Sequence, residues 1–359
     1  MSAVAIAEYR RALAEYLKAR ASYEAAAESY WRAIADKRRL RVSKRASHEP
    51  LSLDDFVLTQ PPVYSGPPKP RNPAAPEEVP AAPVTYVPVV ADFLTAAQQE
   101  FKFAPRLPRS EAEFKRAYAT VALAAGLTRE QIVRIYGFEA SGNGAYDVQA
   151  GLEYSKRARA ITTALGYNQL LATNTVEIIA ESGSQFIKDL LARAASLPDD
   201  ERNLLDGKIA IMRRMLSFAK SVPDDWKEHQ ALAGTPKGLG THAMNLDVDV
   251  GPLLQTQKLM DSVVFARHKG VTATLSAAEL EMMNLTGDGN GFDMITMPRE
   301  WRDRVPTSNF FQQSGYRDNP VAQRNNVVSK LIAATDAQMD REIKLPGAKD
   351  LAADLAALP

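Results

Sequence analysis

Glu139 is the residue whose type and place most directly suggest chemistry. It closes a short amphipathic segment opened by Thr128-Arg129-Glu130-Gln131, a capping box in which the Thr hydroxyl and the Gln side chain satisfy the first free backbone amides. Ile132, Ile135 and Tyr136 fall at i, i+3 and i+4, and the next position on that face is Glu139. A carboxylate where the pattern asks for an apolar side chain is costly to leave charged and unpaired. Desolvation beside Tyr136 and Phe138, the negative end of its own helix and the lack of a nearby base all act to raise its pKa. A carboxylic acid still protonated near neutral pH is what protonation of a glycosidic oxygen requires. The plainer alternative is a glutamate at a fraying helix end that reaches water.

The residues that follow have the polarity of a binding loop. Gly142 and Gly144 turn the chain back, and Tyr146, Asp147, Gln149 and Gly151 are expected to form a polar β-hairpin facing Glu139. Then Gly166-Tyr167-Asn168-Gln169-Leu170-Leu171-Ala172-Thr173 leads into a long helix, with Thr173 or Asn174 expected as its cap. In this order the stretch resembles the lysozyme-like superfamily, and in particular its lytic transglycosylases. Those enzymes carry a catalytic Glu at a helix C-terminus, then a Gly-Leu-Met-Gln-(Leu/Ile)-Met-Pro-Ala-Thr segment opening the next helix. Glu139 matches the acid, and Gly166, Gln169, Leu170, Ala172 and Thr173 match the second motif. The likeness covers residues 110–200. It departs in Ala140, where the family has Ser (Ser141 comes next), in Tyr167-Asn168 for Leu-Met, and in a long step between the two motifs. The family's later Asn-Ala-Gly segment with its Tyr has only Ser314-Gly315-Tyr316, or the region around Asn309, as a counterpart.

The resemblance implies a peptidoglycan lytic transglycosylase that binds glycan strands in the periplasm or cell envelope and needs no cofactor. Glu139 would be catalytic; Gln169, Tyr146, Gln149, Tyr167, Ser141, Asp147 and Tyr316 would contact substrate. Such an enzyme uses one carboxyl, first as acid and then as base on the sugar's own C6 hydroxyl. A hydrolase would need a second carboxyl, for which Asp147 and Glu153 are candidates. Two other readings stay open: a non-catalytic envelope scaffold on the same fold, binding glycan or a protein partner, and an intracellular helical adaptor.

Other chemistry finds little footing. There is no cysteine, so thiol catalysis, disulfides and thiolate metal sites are excluded. His48, His229, His242 and His268 are scattered, with no metal-ligand spacing. Asp288-Gly289-Asn290-Gly291-Phe292-Asp293 has the look of a calcium loop. However, Asp293 stands at the obligate glycine and Arg299 at the bidentate position, so a Gly-rich turn is expected instead. A net charge of +1 gives no reason to expect nucleic acid as a partner. No apolar run approaches the ~20 residues of a membrane span. Met1–Ala7 lacks the basic start of a secretory signal, so an exported form is expected to have lost its signal.

The elements that must position these residues read as mainly α. Residues 1–45 form a long amphipathic helix in which Tyr9, Tyr16, Tyr23 and Tyr30 repeat every seven positions, each followed three later by Ala. That seam asks for a partner, either a second copy or a groove of the same chain. The cations Lys37, Arg38, Arg39, Arg41, Lys44 and Arg45 suit the helix's C-terminal end. Residues 46–109, with ten prolines between Pro61 and Pro88, read as a linker, and 53–64 as an ordered strap along the domain surface. Residues 110–345 are expected to be the lysozyme-like helical domain and 346–359 a tail. Within the domain, helices are expected at 110–125, 128–139, 174–197, 200–221, 250–268, 276–285 and 320–341, with short strands only at 144–153 and 288–297. Trp226, Trp301, Phe310 and Phe311 read as core.

Overall fold

The computed structural model describes residues 3–73, 86–150 and 160–358. Glu153, Gly151 and the far half of the expected hairpin lie outside the described residues, as does the linker's 74–85. The described chain is mainly helical. In chain order the helices are α1 (Ala3–Ala46), α2 (Val90–Phe101), α3 (Glu111–Ala125), α4 (Arg129–Glu139), α5 (Ala172–Ala194), α6 (Asp199–Ala219), α7 (Trp226–Ala233) and α8 (Pro236–His242). They continue with α9 (Gly251–His268), α10 (Ala277–Thr286), α11 (Asp288–Thr296), α12 (Arg299–Arg302), α13 (Gln313–Arg317), α14 (Pro320–Arg324), α15 (Val328–Glu342) and α16 (Pro346–Ala356). Among the described residues β pairing is limited to isolated bridges, Gln149 with Leu165, Leu165 with Leu170 and Pro306 with Val327. The chain divides into two compact units, Met1–Thr85 with Gly289–Ala334, and Tyr86–Asp288 with Thr335–Pro359. That division replaces the expected single domain over 110–345.

In the first unit the cations near the end of α1 do more than suit a dipole. Arg41 is fully buried; its Nε donates to Asp293 at 2.9 Å, and its other nitrogens donate to the carbonyls of Asp55 and Asn309. Lys44 pairs with Asp55 at 2.7 Å, Arg45 with Asp293 at 2.5 Å, and Arg38 donates to the Phe311 carbonyl. The strap beginning at a 3₁₀ turn, Leu53–Asp55, is held by Asn309, whose amide both donates to and accepts from the backbone of Val57. Further along, Tyr64 sets its ring edge-on to Tyr16 and Tyr23, at 6.2 and 5.6 Å between centroids. Gly66 lies so close that a Cβ on it would come within 2.8 Å of the Ala19 Cβ. The middle of the tyrosine seam therefore has its partner within the chain's own proline-rich strap.

Two expectations about this part of the sequence are corrected. The Gly-rich run from Asp288 forms α11 and is neither strand nor turn: burial of Asp293 against Arg41 and Arg45 outweighs the poor helix propensity of its glycines. The helix expected over 320–341 is interrupted between α14 and α15, where Asn326 accepts from the Thr307 amide and Val327 bridges to Pro306.

In the second unit α5 is the central element. Val176, Ile178, Ile179, Phe186, Ile187 and Leu190 are buried, and the helix packs against α6, α7, α8 and α9. Each such side chain contributes roughly 1.5–3 kcal/mol by leaving water, which makes α5 the support on which neighbouring loops are set. The stretch 90–101, expected as linker, is helix α2, and its Phe93, Ala97 and Phe101 join this core. The tail is corrected too: α16 begins at Pro346 and buries Ala348, Leu351 and Leu355 against α3 and α4.

Candidate functional site

The capping box at Thr128 forms as its residues require: the Thr128 hydroxyl accepts from the Gln131 amide at 3.1 Å and the Gln131 side chain accepts from the Thr128 amide at 2.9 Å. From that start Ile132, Ile135 and Tyr136 face inward and are fully buried, and α4 ends on Glu139. The turn after it is held by close approach. Gly142 has φ 62°, and a Cβ there would stand 2.5 Å from the Glu342 carbonyl.

Glu139 is partly buried and meets groups from two helices. Asn284 of α10 donates to its Oε1 at 2.6 Å. The same amide lies 3.4 Å from each oxygen of Glu281, one turn earlier on α10, whose side chain has no exposed surface. Lys258 of α9 supplies the compensating charge. Burial holds Glu139 above the ordinary carboxylate range, against the pull of Lys258 and of its hydrogen bonds. Burial and the neighbouring Glu139 push Glu281 well above that range. Burial lowers the Lys258 ammonium, with Glu139, Glu281 and Asp288 opposing.

Lys258 also joins this cluster to the second motif, its Nζ donating to the carbonyls of Asn168 at 3.2 Å and Gln169 at 3.4 Å. The loop 163–170 is fixed from behind by a buried polar network. Gln255 accepts from the Asn168 amide at 2.7 Å and donates to Leu165 O and Asn245 Oδ1. His242 contacts Thr175 Oγ1 and the Thr163 carbonyl, both at 2.8 Å. Burial lowers its pKa to about 4, so at neutral pH it is an uncharged brace. Gly166, at φ 83°, lies against Gln255, whose amide nitrogen would be 2.5 Å from any Cβ added there.

The substrate contacts expected from the sequence fare unevenly. Tyr167 has no exposed surface: its ring packs edge-on to Phe114, Tyr118 and Tyr136, and its hydroxyl donates to Glu111. It is a core residue, which corrects the expectation that it stacks on sugar. Gln149 is buried as well, its amide donating to the carbonyls of Pro88 and Thr162. Gln169 is partly exposed and at φ 44°, but its amide braces Val148 O and Gly166 O. Tyr146 lies against Phe114 and takes Glu111 as its backbone partner; burial raises the pKa of that same Glu111, and Asp147 adds to the rise. Ser141 is exposed at φ 52°. Tyr316 belongs to the first unit, buried against Trp31 and Phe311. Of the expected hairpin, 148–150 pair with 161–166, and residues 151–153 lie outside the described residues. Leu171 is the N-cap residue of α5; neither Thr173 nor Asn174 is, although the Asn174 side chain accepts from the Leu171 amide at 3.1 Å.

Lys258, Glu281 and Asn284 are the partners that sequence reasoning did not find. Glu281 leaves one trace in the sequence, a charge inside the apolar run Leu280-Glu281-Met282-Met283. More carboxyls surround the cluster. Asp288 accepts from Ser262 at 2.5 Å; Glu177 of α5 is pushed up to about 7 and Asp261 of α9 to about 6, each by burial first and neighbouring carboxylates second. Among the described residues no group of three or more His, Asp or Glu is placed to hold a metal ion, and no helix is long and apolar enough to cross a membrane. What the arrangement can do is hold one protonated carboxyl, with hydrogen-bond donors ready for its anion, beside a rigid backbone loop. Compared with family models, curated proteins and solved structures, the chain finds no match.

Proposed function

We propose that this protein cleaves peptidoglycan glycan strands in the cell envelope as a lytic transglycosylase, on a lysozyme-like arrangement of α4, the 163–170 loop and α5. The observation that carries the reading is Lys258. It balances the charge of Glu139 and at the same time touches the Asn168 and Gln169 carbonyls, bringing together the two motifs on which the family resemblance rests. Glu139 protonates the glycosidic oxygen as the bond to the anomeric carbon breaks. Its carboxylate then takes the proton of the C6 hydroxyl as that oxygen closes on the anomeric carbon, giving a 1,6-anhydro product. Intramolecular attack needs no positioned water, because the nucleophile is already held by the substrate. The same carboxyl acts in both halves because burial favours its protonated form at the start and Asn284 stabilises it as an anion afterwards.

Digestion of purified sacculi followed by mass spectrometry tests this. Wild type releases anhydro-muropeptides, and Glu139→Gln slows release by about 10²–10⁴-fold, the usual worth of a general acid. Silence from wild type removes the enzymatic reading. Hydrated reducing ends convert it to hydrolysis. A second reading, a non-catalytic glycan- or protein-binding scaffold on the same fold, is favoured by one fact: Glu139 already has a hydrogen-bond partner in Asn284. It predicts sacculus binding that Glu139→Gln leaves unchanged and no new chain ends.

A further inference from the structure

Glu139 and Glu281 are two carboxyls that share one amide: Asn284 Nδ2 lies 2.6 Å from Glu139 Oε1 and 3.4 Å from each Glu281 oxygen, and the Glu281 side chain has no exposed surface. Two carboxylate anions cannot share it, since like charges this close in a poorly solvated site repel more strongly than one nearby cation offsets. At most one of the two can be an anion at a time, so when Glu139 gives up its proton a proton must remain on the other. Several features make Glu281 the one that keeps it. Glu281 is wholly enclosed by α10 and its neighbours, with Leu280, Met282 and Met283 buried beside it. Among the described residues its donor contacts are long, 3.4 Å from Asn284 to each oxygen, whereas the same amide approaches Glu139 at 2.6 Å. The better hydrogen bond therefore goes to Glu139, as suits the member of the pair that becomes an anion.

Glu281 has no exposed surface, so it cannot reach substrate itself; it acts through Glu139.

We propose that Glu281 is a positioning residue for Glu139: it keeps its proton through the reaction and donates it in a hydrogen bond to the Glu139 carboxylate formed when the glycosidic oxygen has been protonated. This rests on the glycan-cleaving reading of Glu139. The proton ledger closes without Glu281 being consumed. Glu139 gives one proton to the leaving oxygen and recovers one from the C6 hydroxyl, while the Glu281 proton stays on Glu281. Glu139 is faced by Glu281 and Asn284 from α10 and Lys258 from α9, and Asp288 acts on it through Lys258. Among the described residues of α3 and α16, which also pack near α4, no titratable side chain acts on Glu139.

The experiment compares wild type with Glu281→Gln and Glu281→Leu, using selective carboxyl-13C glutamate labelling and NMR titration beside sacculus digestion. Gln keeps a donor for Glu139 and Leu does not. Expected results are a glutamate resonance that stays protonated through neutral pH in wild type and vanishes in both variants. The Glu139 midpoint should be little changed in Glu281→Gln and raised by about one pH unit in Glu281→Leu, a tenfold change in proton affinity. Anhydro-muropeptide release should follow, with turnover lowered at least tenfold and its alkaline limb displaced upward in Leu, and both restored in Gln. Circular dichroism confirms that the variants fold. Unchanged Glu139 midpoints in both variants would overturn the role of Glu281, whatever the activity. The predicted midpoints in a protein that releases no product, wild type included, uphold the carboxyl pair and reject the glycan reading alone.

Discussion

Two carboxylates of the second unit live in opposite surroundings. Asp249 is almost enclosed, yet it pairs with Lys208, with Arg193 at 2.9 Å and with Arg106 at 3.1 Å. Burial works against its charge, but these three cations prevail and hold its pKa far below the ordinary range. Glu139 has one cation and faces another carboxyl, and its pKa moves the other way. The number and sign of the neighbours decide which way burial resolves. Surplus cations make an ionic joint that serves stability; a shortage of them makes a proton store that suits chemistry.

The largest effect should come from breaking the joint. Lys208→Met leaves Asp247, which has no exposed surface, without its 2.6 Å partner. Breaking such a buried pair costs about 3–5 kcal/mol, read as a lower midpoint in urea denaturation. pH separates the two surroundings next. Asp249 is lowered, so its contribution is present above the unfolded carboxylate pKa and is lost as pH falls. Glu177 is raised from 4.5 to about 7, so its contribution is present in acid and is lost as pH rises between those values. Glu177→Gln should equal wild type near pH 4 and exceed it by about 1–2 kcal/mol at pH 8, after allowance for its partial exposure. Thermal unfolding across that range measures the difference, and parallel curves would deny Glu177 its raised pKa. The smallest effect is expected for Glu281→Gln at neutral pH, within about 1 kcal/mol of wild type, since it replaces a group that is already neutral. A loss as large as that of Lys208→Met would place Glu281 among the ionic joints.

The difference in scale also explains what could be read from residues alone. Ser110, Thr128 and Ser276 mark helix starts because capping is a bond between a side chain and a backbone amide within three residues. The inward aim of Glu139 follows from the same local period, and so does the mainly helical character of the chain. Its partners do not, because Lys258 and Glu281 arrive from α9 and α10 by packing. Tyr167 was misread for a related reason: a tyrosine next to a polar motif has equal licence to face sugar or core, and only the ring cluster with Phe114, Tyr118 and Tyr136 decides it. Proline hid α2, whose Val90, Phe93, Leu94, Ala97 and Phe101 carry a helical period just beyond the densest proline tract.

The strap over the tyrosine seam has a consequence for self-association. Tyr64 occupies the space between Tyr16 and Tyr23 as a tethered ligand, at an effective concentration on the order of millimolar for so short a connection. A second helix approaching that stretch competes with an occupant that never diffuses away. Pairing of two copies through it thus requires either high local density or displacement of the strap, and a tyrosine heptad that looks like an invitation to dimerise behaves as an intramolecular latch.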